Sequence, residues 1–147
     1  MELQVGVKAL INDGQDNYLF LKRLNPYPGE TEPRWDVPGG RINPGEPLGE
    51  ALAREIKEET ALTMKGEPKI LYAQDILRLK DKHVVRLTFE VGVEPGAIII
   101  EPNDPGGTGH SEYRWINKAD IKNLRHDFYL TPVFKLMNIE PGIDSSS

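Results

Sequence analysis

The chain has 147 residues, 38% hydrophobic and 28% charged, with a net charge of −5 and no cysteine. That length suits one domain with a substantial core. The acidic balance argues against a general nucleic-acid binder, which needs a basic surface, and the lack of cysteine excludes a disulfide framework and fits a reducing cytosol. The start, MELQVGVKAL, carries no secretory apolar segment, and the aliphatic run near Ile98–Ile100 is far too short to span a bilayer. A cytoplasmic chain with no membrane partner is therefore expected.

In chain order, Leu3, Val5, Val7, Ala9 and Ile11 alternate and predict a strand with one buried face. Asn12-Asp13-Gly14 reads as a turn, with Tyr18 to Leu24 as a second strand in a hairpin with the first. That strand ends in Lys22 and Arg23, candidates to grip a phosphate. Asn25 to Arg34 holds three prolines and a glycine and must be an irregular loop. Loops at the edge of a site often carry specificity, which makes Tyr27 and Trp35 candidates to border a ligand.

Pro38 to Gly45 is rich in Gly and Pro and predicts a loop, and Pro47 fits the first position of a helix running to about Ala61. On that helix Leu48, Ala51 and Leu52 form an apolar stripe that Glu55, Glu58 and Glu59 continue, while Glu50, Ala53, Arg54 and Lys57 take the opposite side. A solvated charged face would place the acids away from the stripe. Acids three and four residues apart repel by roughly 0.2–0.5 kcal/mol each, more where water is scarce, so a positive centre is expected among them. Oxygen ligands without Cys or a nearby His suit Mg²⁺ or Mn²⁺ rather than zinc.

After the helix, Gly66 to Pro68 reads as a connector, and Ile70 to Leu79 and Val84 to Val93 as strands about a polar turn. The second of these suggests a central strand, with Arg86 or Glu90 facing the site. Ile98 to Glu101 reads as a further strand, Asn103 to Gly109 as a flexible loop, and Tyr113 to Ile116 as a strand anchored by Trp115. Asn117 is placed to cap a helix over Lys118 to Leu124. Leu130 to Met137 predicts a last helix entered at Thr131-Pro132. The expected organisation is one domain over residues 1–140 with a frayed tail over 141–147, of α+β class.

Gly40, Glu46 and Arg54-Glu55-Ile56-Lys57-Glu58-Glu59-Thr60-Ala61-Leu62 stand at spacings that resemble the Nudix box, supported by Trp35-Asp36-Val37-Pro38-Gly39 and Glu112-Tyr113-Arg114-Trp115. Ala61 departs from the pattern, where the family usually has Gly to ease a left-handed helix exit. The resemblance implies a helix–sheet–helix sandwich with a mixed central sheet. It also implies a Mg²⁺- or Mn²⁺-dependent hydrolase of a small nucleotide, a nucleoside diphosphate linked to another group.

In that comparison Glu58 and Glu59 are metal ligands, Glu55 is a ligand or the base, and the Gly39 carbonyl is a further ligand. Glu46 and Arg54 form a supporting pair, and Glu112 supplies a further catalytic acid, with Glu101 its rival. Arg23, Arg41, Trp35 and Tyr27 are the substrate-binding candidates. The leading substrate is a nucleoside triphosphate, split to monophosphate and pyrophosphate. Relatives acting on ADP-ribose or dinucleoside polyphosphates carry Pro or Tyr where this chain has Leu77 to Lys80, which weakens those two readings, and ADP-ribose or another nucleotide sugar is kept as the alternative substrate. The alternative from another class is a nucleotide-binding module without catalysis. Monomer and homodimer both remain open.

Overall fold

The computed structural model describes residues 1–100 and 109–143. The chain forms two compact units, Met1–Ile11 with Pro38–Ile98, and Asn12–Val37 with Ile99–Ser147. Its class is α+β, and its larger sheet is mixed.

In the first unit the strands are β1 (Glu2–Ile11), β4 (Gly39–Arg41), β5 (Met64–Ile76) and β6 (Lys82–Val93), ordered β4-β1-β6-β5. β1 runs parallel to β6, from Glu2 opposite Lys82 to Ile11 opposite Val91, and the other two pairings are antiparallel. The alternation in β1 places Val7, Ala9 and Ile11 on one face, all fully buried. Helix α1 (Leu48–Thr60) lies against β1, β4 and β5 and buries Ala51, Leu52, Ile56 and Thr60. Burying a side chain such as Leu52 or Ile56 contributes about 1.5–3 kcal/mol each. The opposite face of this sheet carries Gln4, Gly6 and Lys8 of β1 and Arg86, Thr88 and Glu90 of β6. β6 is central, as expected.

The helix departs from the sequence expectation at both ends. Leu48, in the first turn, is 39% exposed, and Ile56 and Thr60 complete the buried stripe with Ala51 and Leu52. Pro47 is the N-cap with an extended backbone, not the first helical residue. Ala61 sits at the C-cap with φ 67°, the left-handed conformation that disfavours any residue with a Cβ. Thr60 holds the turn by donating its hydroxyl to the Ile56 carbonyl and accepting from the Leu62 N–H. Replacing Ala61 with Gly removes the Cβ penalty and is expected to raise stability by about 1 kcal/mol; an unchanged or lower urea midpoint would contradict this.

In the second unit β3 (Trp35–Asp36), β2 (Asn17–Arg23) and β7 (His110–Asn117) form an antiparallel sheet in that order. Leu19, Phe20, Leu21, Ile121, Leu130, Val133 and Phe134 are among the buried apolar residues of this unit, and the Phe20 and Phe134 rings stand 6.3 Å apart. Asn117 caps the turn over Lys118–Asn123 through its side chain, which accepts from the Ala119 N–H, but that turn is a 3-10 helix. Helix α2 (Thr131–Leu136) begins with Pro132 in its first turn, as the sequence suggests. His126 is fully buried, accepts at Nε2 from the Gly142 N–H and bonds through Nδ1 to the Asp127 carbonyl. This fixes the neutral tautomer with its proton on Nδ1, and burial lowers its pKa.

The expected β1–β2 hairpin does not form, because the two strands belong to different sheets; Asn12, just past β1, bridges to Tyr18. The intervening turn redirects the chain. Gly14 and Asp16 have positive φ, and the Asp13 carboxylate accepts from the N–H groups of Gln15 and Asn17. The expected connector Gly66–Pro68 lies inside β5, at a register shift between Lys65 and Lys69. Residues 98–100 form no strand, and Glu101, most of the Asn103–Gly109 loop and residues 144–147 lie outside the described residues. Trp115 is 37% exposed and is no anchor. Among the described residues no helix is long and apolar enough to cross a membrane.

Candidate active site

In the first unit β4 and the loop after it meet the middle of α1. Arg54 is the hub. Its Nε and Nη2 clasp the Glu46 carboxylate at 2.7 and 2.9 Å, a two-pronged charge-assisted contact. Nη2 also donates to the Arg41 carbonyl at 3.1 Å, and the Asn43 N–H donates to Glu46 at 2.9 Å. The loop is thereby tied to the helix, and the Arg54 bond holds the Glu46 carboxyl down at about 2.

The third nitrogen of the same guanidinium, Nη1, is shared by Glu55 at 3.0 Å and Glu58 at 3.3 Å. The two acids thus converge on one positive centre, as their mutual repulsion requires. They differ in setting. The Glu58 side chain is 58% exposed, against 12% for Glu55. Burial raises the Glu55 pKa, with the Arg54 bond pulling the other way.

Gly40 makes room for Glu55, since a Cβ there would stand 2.6 Å from Glu55 Oε1. Gly40 pairs with Val7, so Glu55 lies on the sheet face that packs against α1. Glu59 accepts from the Gly39 N–H at 2.7 Å, which brings its carboxylate beside the Gly39 peptide. Lys57 points away and donates to the Thr63 hydroxyl.

Among the described residues no three His, Cys, Asp or Glu side chains stand together as a metal-binding group. The donor chemistry nevertheless fits a hard divalent cation, because Glu55 and Glu58 already share a cation and every candidate ligand is oxygen.

In the second unit Lys22 lies opposite both Trp35 and Glu112, so the three share a row across the sheet. Trp35 is 7% exposed, with Lys22 Nζ 5.9 Å and the Arg114 guanidinium 5.0 Å from its ring. Glu112 is exposed and pairs with Arg114 at 3.7 Å. Tyr27 bonds through its hydroxyl to Asp127 and packs its ring on Phe128, and the Arg23 guanidinium covers it at 4.3 Å. Burial pushes the Tyr27 pKa up. Glu30 receives both Arg34 and Arg125, which closes the loop carrying Tyr27. Sequence reasoning missed Arg114 beside Trp35 and Asp127 beneath Tyr27. The first could have been found from its alternation with Glu112 on one strand, but Asp127 lies 100 residues from Tyr27 and leaves no local signal.

The sequence profile of the NUDIX domain matches residues 2–136. A protein named putative 8-oxo-dGTP diphosphatase, from Bacillus subtilis strain 168, is 53% identical over 70 residues, 48% of this chain and 42% of its own. An ADP-ribose pyrophosphatase of Methanocaldococcus jannaschii is 31% identical over 98 residues, 64% of this chain and 53% of its own. The chain thus matches about half the length of these relatives. A MutT protein from Methanosarcina mazei Go1 superposes with a TM-score of 0.73 at 28% identity, covering 93% of this chain and 94% of that one. The E. coli ORF135 protein shares the fold, with a TM-score of 0.75 at 16% identity over 94% and 90% of the two chains. With the profile running through both units and the box residues gathered about Arg54, the chain belongs to the NUDIX domain family.

Proposed function

We propose that this chain is a cytoplasmic pyrophosphohydrolase that uses Mg²⁺ or Mn²⁺ to cleave a nucleoside diphosphate linked to another group. Nucleoside triphosphate, hydrolysed to monophosphate and pyrophosphate, is the preferred substrate class. The observation that carries this is the convergence of Glu55 and Glu58 on one cationic nitrogen above Gly40. Glu55, Glu58, Glu59 and the Gly39 carbonyl would hold the cation. When bound, such an ion offsets the charge of the diphosphate and acidifies water near it.

Glu55, with its pKa raised by burial, is suited to take a proton from the attacking water, and Glu112 is the rival for that role. Glu46 and Arg54 keep the acids in position. Arg23, Arg41, Tyr27 and Trp35 are assigned to the nucleotide. The cations beside Trp35 and Tyr27 support a role next to phosphate.

The name of the Bacillus relative supports a triphosphate, and the name of the archaeal relative supports ADP-ribose as a second reading. A panel of nucleoside triphosphates, ADP-ribose and dinucleoside polyphosphates, assayed for phosphate and pyrophosphate release, tests this. Pyrophosphate release from a triphosphate is expected, and none in EDTA. Faster turnover of ADP-ribose would favour the second reading. No metal-dependent turnover of any member would leave a binding module without catalysis.

A further inference from the structure

Arg23 ends β2, and its guanidinium lies over the Tyr27 ring at 4.3 Å. Among the described residues it forms no ion pair and no side-chain hydrogen bond, and its Nε is buried without a partner. A cation held by a ring rather than by a carboxylate keeps its charge and its end nitrogens for another group. The ring is itself held. The Tyr27 hydroxyl donates to Oδ2 of Asp127, and the ring packs on Phe128 with centroids 5.4 Å apart. Burial raises the Tyr27 pKa, so the hydroxyl stays a donor. Asp127 is fully buried. Its N–H donates to the Trp35 carbonyl at 2.7 Å, and its Oδ1 accepts from the Tyr129 N–H at 2.8 Å, which caps the 3-10 turn Phe128–Leu130. One carboxylate oxygen thus serves the turn and the other serves Tyr27.

We propose that Asp127 is a positioning residue for substrate binding: by holding the Tyr27 hydroxyl it fixes the ring under Arg23 and so presents the guanidinium to a phosphate. This inference rests on the nucleotide substrate proposed above, and it gives Tyr27 its part in holding that nucleotide. An arginine free to swing loses side-chain freedom when it grips an anion, and one already resting on a fixed ring loses less. A carboxylate beside Arg23 would also position it, but would occupy its donors and offset its charge. The ring does neither. The loop around Tyr27 is fastened separately. The Glu30 N–H donates to the Tyr27 carbonyl at 2.9 Å, and the Glu30 carboxylate pairs with Arg34 at 2.7 Å and Arg125 at 3.0 Å. Losing the Tyr27 hydroxyl therefore frees the ring without freeing the loop.

Calorimetric titration of inorganic pyrophosphate into the metal-free protein tests the inference apart from turnover. Arg23→Ala is expected to weaken binding at least ~10-fold. Asp127→Ser keeps a capping oxygen for the Tyr129 N–H but is too short to reach Tyr27. Tyr27→Phe keeps the ring and loses only the hydroxyl. Each of these two is expected to weaken binding about 5-fold. In the Arg23→Ala background Asp127→Ser should add almost nothing, because its effect passes through the guanidinium. A merely structural Asp127 would cost the same with or without Arg23. Tyr27→Phe carries the same comparison if Asp127→Ser does not fold. An equal loss in both backgrounds, variants that bind like wild type, or a wild type that binds no pyrophosphate would overturn the inference. Failure of the hydrolytic function would instead appear as a substrate panel without turnover, with pyrophosphate binding and its dependence on Asp127 intact.

Discussion

Glu55→Gln is expected to lower turnover by at least ~100-fold while leaving the protein as stable as before, or more stable, at neutral pH. The two effects share one cause. Glu55 is largely buried against Gly40, and burial raises its pKa above the ordinary glutamate value. The folded chain therefore binds this proton more tightly than the unfolded chain does. The stability that Glu55 contributes is full below the ordinary glutamate range and is lost as pH rises through the folded value. Gln keeps the acceptor for Arg54 Nη1 and removes that loss, so the gain over wild type should appear only above that range. Denaturation midpoints at pH 4 and pH 7.5, set beside turnover, measure both. A variant destabilised at both pH values, or one with near-normal turnover, would contradict the assignment. Glu58→Gln should lose activity to a similar degree with no stability change, because that side chain is mostly exposed. Lys57→Gln, facing away toward Thr63, is the control that should change little.

Arg54→Ala is expected to damage both stability and turnover, and its effect should depend on pH. One side chain neutralises Glu46, Glu55 and Glu58 and ties the loop through the Arg41 carbonyl. Without it three acids repel one another and the loop after β4 loses its tether. Glu46, held at about 2, contributes stability that is present above the ordinary glutamate value near 4.5 and is lost as pH falls toward 2. The gap in urea midpoint between variant and wild type should therefore be wide at pH 7 and shrink below pH 4.5. Turnover should fall more than ~10-fold, since positioning groups of this kind commonly cost that much. Arg54→Lys keeps the charge but not the two-pronged grip on Glu46, and should recover only part of either loss. A pH-independent gap would mean that Glu46 is not held by Arg54 in solution.

The helix, its acids and their arginine were legible because their spacing is local. Residues three, four and eight apart, such as Arg54 with Glu58 and Glu46, meet on one helix and the turn before it. The alternation in β1 likewise exposed its buried face. What alternation cannot show is the partner of a strand. β1 and β2 are adjacent in sequence and both alternate, yet the turn at Asp13–Asp16 sends them into different sheets. β1 instead pairs in parallel with β6, some 80 positions away, as with Val5 and Val85. Leu48 misled for a smaller reason: it falls on the apolar side of the helix but in the first turn, where there is little to pack against.

Direct titration of Mn²⁺ by electron paramagnetic resonance tests the central claim that the α1 acids form a cation site. The wild type should remove free Mn²⁺ signal in proportion to protein, and Mg²⁺ should compete it back. Glu55→Gln and Glu58→Gln should each weaken that binding at least ~10-fold, as loss of a carboxylate ligand requires, with Lys57→Gln unchanged. Binding of equal strength in all four proteins would place the cation elsewhere and contradict the account.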